Sequence, residues 1–143
     1  MHNEQLHLAL VDDDVSVRKA LTRLLSTNEF NIHDYASAAE FLHSLQIQKP
    51  GCLLLDLHMP EVDGLELLYQ LRAEGVHIPT IVITAHNERG LSTRCESAGA
   101  CAILIKPIEA ANLFAAIQLA TGRSETRCTP SIVGCPQSRQ FGT

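Results

Sequence analysis

Four short apolar runs, Leu8-Ala9-Leu10-Val11, Cys52-Leu53-Leu54-Leu55, Ile81-Val82-Ile83 and Ala102-Ile103-Leu104-Ile105, constrain this chain more than any other feature. None alternates apolar with polar residues, so each predicts a strand buried on both faces, as in a parallel sheet covered by helices. A fifth segment, Asn31-Ile32-His33-Asp34-Tyr35, does alternate and carries polar side chains, which suits an edge strand.

Helical patterns fill the gaps between the runs. Val17, Ala20, Leu21, Leu24 and Leu25 share one helical face, and Asp14 or Ser16 can cap its start. Ser37 opens a second helix bearing Phe41, Leu42 and Leu45. Leu65, Leu68 and Leu71 mark a third, stopped by Gly75, and Ala110, Leu113, Phe114 and Ile117 mark another that ends near Gly122. Between Arg89 and Ala98 the pattern is weaker, with Leu91, Cys95 and Ala98 available for burial; a helix is expected there, and the most mobile one. Strand and helix thus alternate five times, which implies right-handed crossovers and a doubly wound α/β sheet. Beyond Gly122 the apolar period stops, so residues 5–121 are read as one domain and 122–143 as a flexible tail or the start of a linker.

Composition excludes several classes. Eleven basic residues against sixteen acidic ones give a formal charge of −5, whereas nucleic-acid binding draws most of its affinity from basic contacts to phosphate. The five cysteines, at 52, 95, 101, 128 and 135, lack metal-site spacing and read as small apolar residues or free thiols. No cationic leader opens the chain, and no stretch approaches the ~18 apolar residues of a membrane span. The expected compartment is the cytosol.

The residues that close the buried runs carry the chemistry. The first run ends in Asp12-Asp13-Asp14, the second in Asp56, the third in Thr84 and the last in Lys106-Pro107. In open α/β sheets the ligand site lies outside the carboxyl ends of the strands, so carboxylates, a hydroxyl and an ammonium group converge on one edge. Taken singly, each has a duller explanation: helix capping, turn chemistry or a surface lysine. Their joint occurrence, each closing a buried run, makes coincidence a poor account. Two carboxylates about 5 Å apart repel by roughly 3 kcal/mol at an effective dielectric of about 20, so Asp12, Asp13 and Asp56 call for protonation or a cation. A small cluster of hard oxygen ligands favours Mg²⁺. Lys106 can pair with phosphoryl oxygens and Thr84 can donate a hydrogen bond to one.

These residues, with Leu57-His58-Met59-Pro60, Gly64, Ile83-Thr84-Ala85-His86 and Gly99-Ala100, resemble the receiver domains of bacterial two-component response regulators, of the CheY-like superfamily. The resemblance implies a five-stranded parallel sheet in the order 2-1-3-4-5 with five helices. It also implies that Asp56 accepts a phosphoryl group from a phosphohistidine of a sensor histidine kinase. Asp13 and Asp56 would ligate Mg²⁺ directly, Asp12 largely through water, and the main-chain carbonyl of His58 would complete the protein ligands. Thr84 and Lys106 would hold the phosphoryl oxygens, and a cis peptide before Pro107 is a frequent family trait. The implied activity is acceptance of the group, with self-dephosphorylation, rather than turnover of a substrate. Ser37-Ala38-Ala39-Glu40-Phe41-Leu42 and His86 look most like the FixJ/LuxR-type transcriptional branch, which places the domain upstream of transcription. DNA would then be reached only through an effector domain absent from this chain, and no membrane is implied.

One position departs from the pattern: Ile103 stands where the family usually has an aromatic ring three residues before the lysine. The family's ring-turning readout is thereby in doubt, and the 87–106 face is expected to change on phosphorylation instead, promoting a homodimer or partner docking. His58 and His86 flank the site, where they would influence access of water to an acyl phosphate or take a transition metal. The plainer expectation is two exposed loop histidines without a metal role. Two alternatives stay open. One is a pseudo-receiver that docks partners without phosphorylation. The other, a haloacid-dehalogenase-like phosphatase, needs a second Asp two positions after the nucleophile, where this chain has His58.

Overall fold

The computed structural model describes residues 6–26, 30–59, 63–86 and 88–122. Pro60, Asn87 and the segment after Gly122 lie outside them. Strand and helix alternate as β1 (Leu6–Val11), α1 (Val15–Leu25), β2 (Phe30–Tyr35), α2 (Ala38–Ser44), β3 (Cys52–Asp56), α3 (Gly64–Ala73), β4 (Thr80–Thr84), α4 (Leu91–Ala98), β5 (Ala102–Ile105) and α5 (Ala110–Thr121). All neighbouring strands pair in parallel, in the order β2-β1-β3-β4-β5. The polar strand β2 sits at the edge, as its alternation requires.

The continuous apolar runs are explained by two cores, one on each face of the sheet. Leu8, Leu10, Leu54, Ile81, Ile83 and Leu104 meet Leu21 and Leu25 of α1 and Leu113 and Ile117 of α5. On the other face Val11, Leu53, Leu55, Val82 and Ile103 meet Phe41 of α2, Leu67 and Leu71 of α3, and Leu91 and Cys95 of α4. Since strand side chains alternate between faces, a strand covered on both sides has no position left for a polar residue until it runs out. Each fully buried Leu or Ile stabilises the fold by roughly 1.5–3 kcal/mol.

Local signals set the helix ends. Asp14, not Ser16, caps α1, accepting from the N–H groups of Ser16 at 2.9 Å and Val17 at 3.4 Å. Ser37 caps α2 through the N–H of Glu40. Asp63 and Glu66 form a reciprocal capping box on α3. Helix α4 buries Leu91, Cys95 and Ala98, the three positions its weak pattern offered, but it begins at Gly90 with no side-chain cap. It therefore lacks a contribution typically worth about 1 kcal/mol. Gly99, at φ 100°, closes it in the left-handed region.

Cys52 and Cys95 are buried free thiols and Cys101 is a half-buried one. Burial pushes the Cys52 thiol up to about 12 and the Cys95 thiol up to about 11, so both stay protonated and unreactive at neutral pH. Among the described residues no helix is long and apolar enough to cross a membrane.

Leu54, fully buried in the middle of β3, tests the α1/α5 core. Leu54→Ala is expected to lower unfolding free energy by about 2–5 kcal/mol in urea titrations. A loss under about 1 kcal/mol would be too small for a core position of this burial.

Candidate functional site: a carboxylate pocket at the sheet edge

Register carries the acidic residues to one level. Val11 pairs with Leu55 and Asp56 pairs with Ile83, so Asp12, next after β1, stands beside Asp56, the last residue of β3. Both are buried, at 1% and 4% exposure, while Asp13 is exposed. One carboxylate oxygen from each of the three lies within 4.8 Å of the others. Lys106 reaches in from the far side of the sheet, its Nζ 3.4 Å from Asp12 Oδ2 and 3.5 Å from Asp56 Oδ1. Its own N–H donates to the Thr84 carbonyl at 2.8 Å, and the Lys106–Pro107 peptide is cis.

Asp12 is held by contacts that its spacing does not reveal. Its Oδ1 accepts from the Asp14 N–H at 2.9 Å, and its carbonyl accepts from Arg18 Nη1 at 2.8 Å. Arg18 Nε in turn meets Asp34 Oδ2 at 3.0 Å. The guanidinium is thus committed to the backbone and to Asp34 rather than to the pocket carboxylates. Among the described residues, three carboxylates against the Lys106 ammonium leave two formal negative charges in the pocket.

The effect shows in Asp56. Its burial first, then the Asp12 charge, with a smaller push from Asp13, raise its pKa above the ordinary carboxylate value, while Lys106 pulls the other way. A group of hard oxygens with an excess of two charges suits a small divalent cation that keeps part of its water shell. Asp12, Asp13 and Asp56 are the residues that can hold one. The His58 main-chain carbonyl, the fourth protein ligand expected, lies two residues past Asp56 on the loop leaving β3.

Thr84 does not turn its hydroxyl to Asp56. It is completely buried and one residue beyond the Asp56–Ile83 pair. Its Oγ1 donates to the His86 carbonyl and accepts from the His86 N–H, both at 3.2 Å. The hydroxyl is therefore engaged with its own loop and has to rotate to serve a ligand at Asp56.

Gly64 acquires a reason that spacing alone could not supply. A Cβ there would sit 2.8 Å from the Asp56 carbonyl oxygen and 2.9 Å from Leu57 Cδ2, and the Gly64 N–H donates to the Leu57 carbonyl at 3.0 Å. The start of α3 is pressed onto the backbone that carries Asp56. Another contact with no signal in the spacing joins His58 and His86, whose rings meet edge to face at a centroid separation of 5.4 Å.

Comparison with known proteins agrees with the fold. The model of the response regulator receiver domain matches residues 8–118. The chain is similar to the transcriptional regulatory protein FixJ of Azorhizobium caulinodans, 37% identical over 121 residues that cover 85% of this chain and 57% of that protein. Nodulation protein W of Bradyrhizobium diazoefficiens is 34% identical over 118 residues, covering 82% of this chain and 52% of that one. The chain spans about half the length of the curated relatives it matches. Among solved structures it is similar to FixJ-N, with a TM-score of 0.76 and 33% identity, covering 86% of this chain and 98% of that one. Full-length FixJ from B. japonicum gives a TM-score of 0.75 and 32% identity, covering 85% of this chain and 60% of that one.

Two outcomes are expected. Because the Asp56 carboxyl has a higher pKa folded than unfolded, the stability due to its bound proton is complete below the unfolded value and is lost as pH rises through the folded value. Ionised Asp56 is thus a net cost at neutral pH, and Asp56→Asn should raise the urea midpoint there when no divalent cation is present. The gap should narrow on acidification; a variant no more stable than the parent at neutral pH contradicts the assignment. Gly64→Ala, by forcing α3 off the Asp56 backbone, should cost about 1–3 kcal/mol in the same assay.

Proposed function

Because the chain belongs to the response regulator receiver domain family, we propose that Asp56 accepts a phosphoryl group from a sensor histidine kinase in a Mg²⁺-dependent reaction. The observation that carries this reading is the buried Asp56 carboxylate within one oxygen cluster with Asp12 and Asp13 and beside Lys106 Nζ.

Asp56 is the only one of the three pocket carboxylates that ends a central strand, and Lys106 approaches one of its oxygens. One Asp56 oxygen attacks the phosphorus of a phosphohistidine. The new O–P bond forms as the N–P bond breaks, and the imidazole leaves, taking up a proton. Asp13, Asp56 and the His58 carbonyl would hold Mg²⁺, with Asp12 acting largely through water, and the ion would supply positive charge against the repulsion between an anionic nucleophile and an anionic donor. Lys106, now midway between Asp12 and Asp56, pairs with a phosphoryl oxygen. Such charge-assisted contacts are roughly twice as strong as neutral ones.

The switch rests on the two partners open to Thr84. Its hydroxyl bonds either the His86 backbone, as in this structure, or a phosphoryl oxygen. Moving to the second releases the loop that leads into α4, whose start has no side-chain cap. Ile103, at 3% exposure, packs in the same layer as Leu91, Cys95 and Ala98. It provides no ring to turn, so the change is carried by the loop and α4 across the 87–106 face, where a homodimer or partner docks. FixJ is named a transcriptional regulatory protein, and the proposed output is transcriptional control through an effector domain beyond the receiver. A domain of this kind works in the cytoplasm, where sensor kinases present their phosphohistidine.

The test uses acetyl phosphate with Mg²⁺ and intact-mass detection of the phosphorylated chain. The parent should gain one phosphoryl group, while Asp56→Asn and a magnesium-free sample gain none. Thr84→Ala should still take the group but lose the accompanying NMR shifts across 88–106. Labelling of Asp56→Asn equal to the parent would remove Asp56 from its role. A parent that takes no label from either acetyl phosphate or a kinase would favour a phosphorylation-independent docking module.

A further inference from the structure

We propose that His58 and His86 form a two-imidazole site for a borderline divalent transition-metal ion of the Zn²⁺ class, set at the mouth of the carboxylate pocket and separate from it. The two residues are 28 positions apart in sequence, on loops leaving adjacent strands β3 and β4, and their rings lie 5.4 Å apart between centroids at an interplanar angle of 83°. A Zn–N bond is about 2.0–2.1 Å, and with a ring centre roughly 1.1 Å behind the nitrogen each centroid stands about 3.2 Å from a shared ion. At a tetrahedral angle those centroids would be about 5.2 Å apart. The observed pair has nearly that separation, but its edge-to-face contact turns the face of one ring to the other, so the exposed side chains have to rotate to bring both nitrogens onto one ion.

Both backbones are held in place. His58 lies between buried Leu57 and Met59, at 5% and 9% exposure. The Leu57 N–H donates to the Ile83 carbonyl at 3.2 Å, which ties one loop to the neighbouring strand. His86 is fixed at both its N–H and its carbonyl by the Thr84 hydroxyl. Both side chains are exposed, and among the described residues neither imidazole has a hydrogen bond or ion pair to another side chain, only the ring contact between them. The rings are thus free for a ligand, and the backbone bonds at Leu57 and Thr84 set where the two loops leave the sheet.

Hardness keeps the two sites apart. Imidazole nitrogen suits Zn²⁺, Cu²⁺ or Ni²⁺, whereas a carboxylate cluster suits Mg²⁺. Among the described residues, the one group of three or more ionisable ligands is Asp12, Asp13 and Asp56, without either histidine. The histidine site therefore has two protein ligands and open positions filled by water, and its ion exchanges readily. Occupied, it joins the β3 and β4 loops across the entrance to Asp56. The consequence for phosphoryl acceptance rests on the function proposed above, but the binding itself does not.

Zn²⁺ titration of the full chain by calorimetry, in saturating Mg²⁺, should show binding that His58→Ala and His86→Ala each weaken by about tenfold or more. His77→Ala, which removes an exposed histidine on the segment before β4, should leave it unchanged. Nitrogen-detected imidazole NMR of the parent should show the ring signals of His58 and His86 moving together as Zn²⁺ is added. Both substitutions fall on exposed side chains, and circular dichroism checks that the variants stay folded. Unchanged Zn²⁺ affinity in the double variant overturns the site, as does binding that leaves these two rings unmoved. The acetyl phosphate assay without Zn²⁺ reports on Asp56 alone, so loss of one reading is distinguishable from loss of the other.

Discussion

Two buried carboxylates, Asp12 and Asp56, share one ammonium at the carboxyl edge of the sheet, and much of the surrounding structure serves to keep them there. Removing an ionised group from water is costly unless partners replace the lost hydration. Asp12 has its partners: the Asp14 N–H and Lys106 Nζ. Asp56 has only Lys106 among the described residues, and its raised pKa records the shortfall. The pocket is held in a state of unmet charge by elements that are themselves well packed. A small cation placed among these oxygens would relieve that charge.

The scaffold achieves this by separating its tasks. The apolar runs of β1, β3, β4 and β5 are buried in two cores and change character at the strand's last residue, as at Asp56 and Thr84, or at the next one, as at Asp12 and Lys106. Burial therefore fixes the strands, and the chemistry starts where burial stops. The Gly64 contact extends the same division to α3, whose first residue must lie against the Asp56 carbonyl for the helix and the site to coexist. In contrast, α4 and the loop before it have weak local determinants: a glycine cap, a short apolar face and a backbone bond that depends on the Thr84 hydroxyl. Low local stability is what a segment that changes conformation requires.

The agreement between sequence and structure has definite physical sources. The double-sided burial of the parallel strands leaves a continuous apolar signature, and the helix ends at Asp14, Ser37, Gly75 and Gly122 reflect local backbone chemistry. The acidic, hydroxyl and ammonium groups are legible as a set because each closes a run. Their separate roles are less so. Thr84 is expected to meet a phosphoryl oxygen, and its bond to the His86 backbone is a short-range turn contact that the spacing of the runs does not display.

Periodicity and capping are local and need no partner, so the amino-acid order alone settles the alternation of elements, the buried strands and the identity of the residues delivered to one edge. The distances belong to the tertiary structure: carboxylate oxygens within 4.8 Å of one another, Lys106 between two of them, Arg18 diverted to the backbone of Asp12, and two histidine rings brought edge to face. Those contacts join positions up to 94 residues apart. They depend on strand register and crossover handedness, which act through space and leave no spacing for the chain to display.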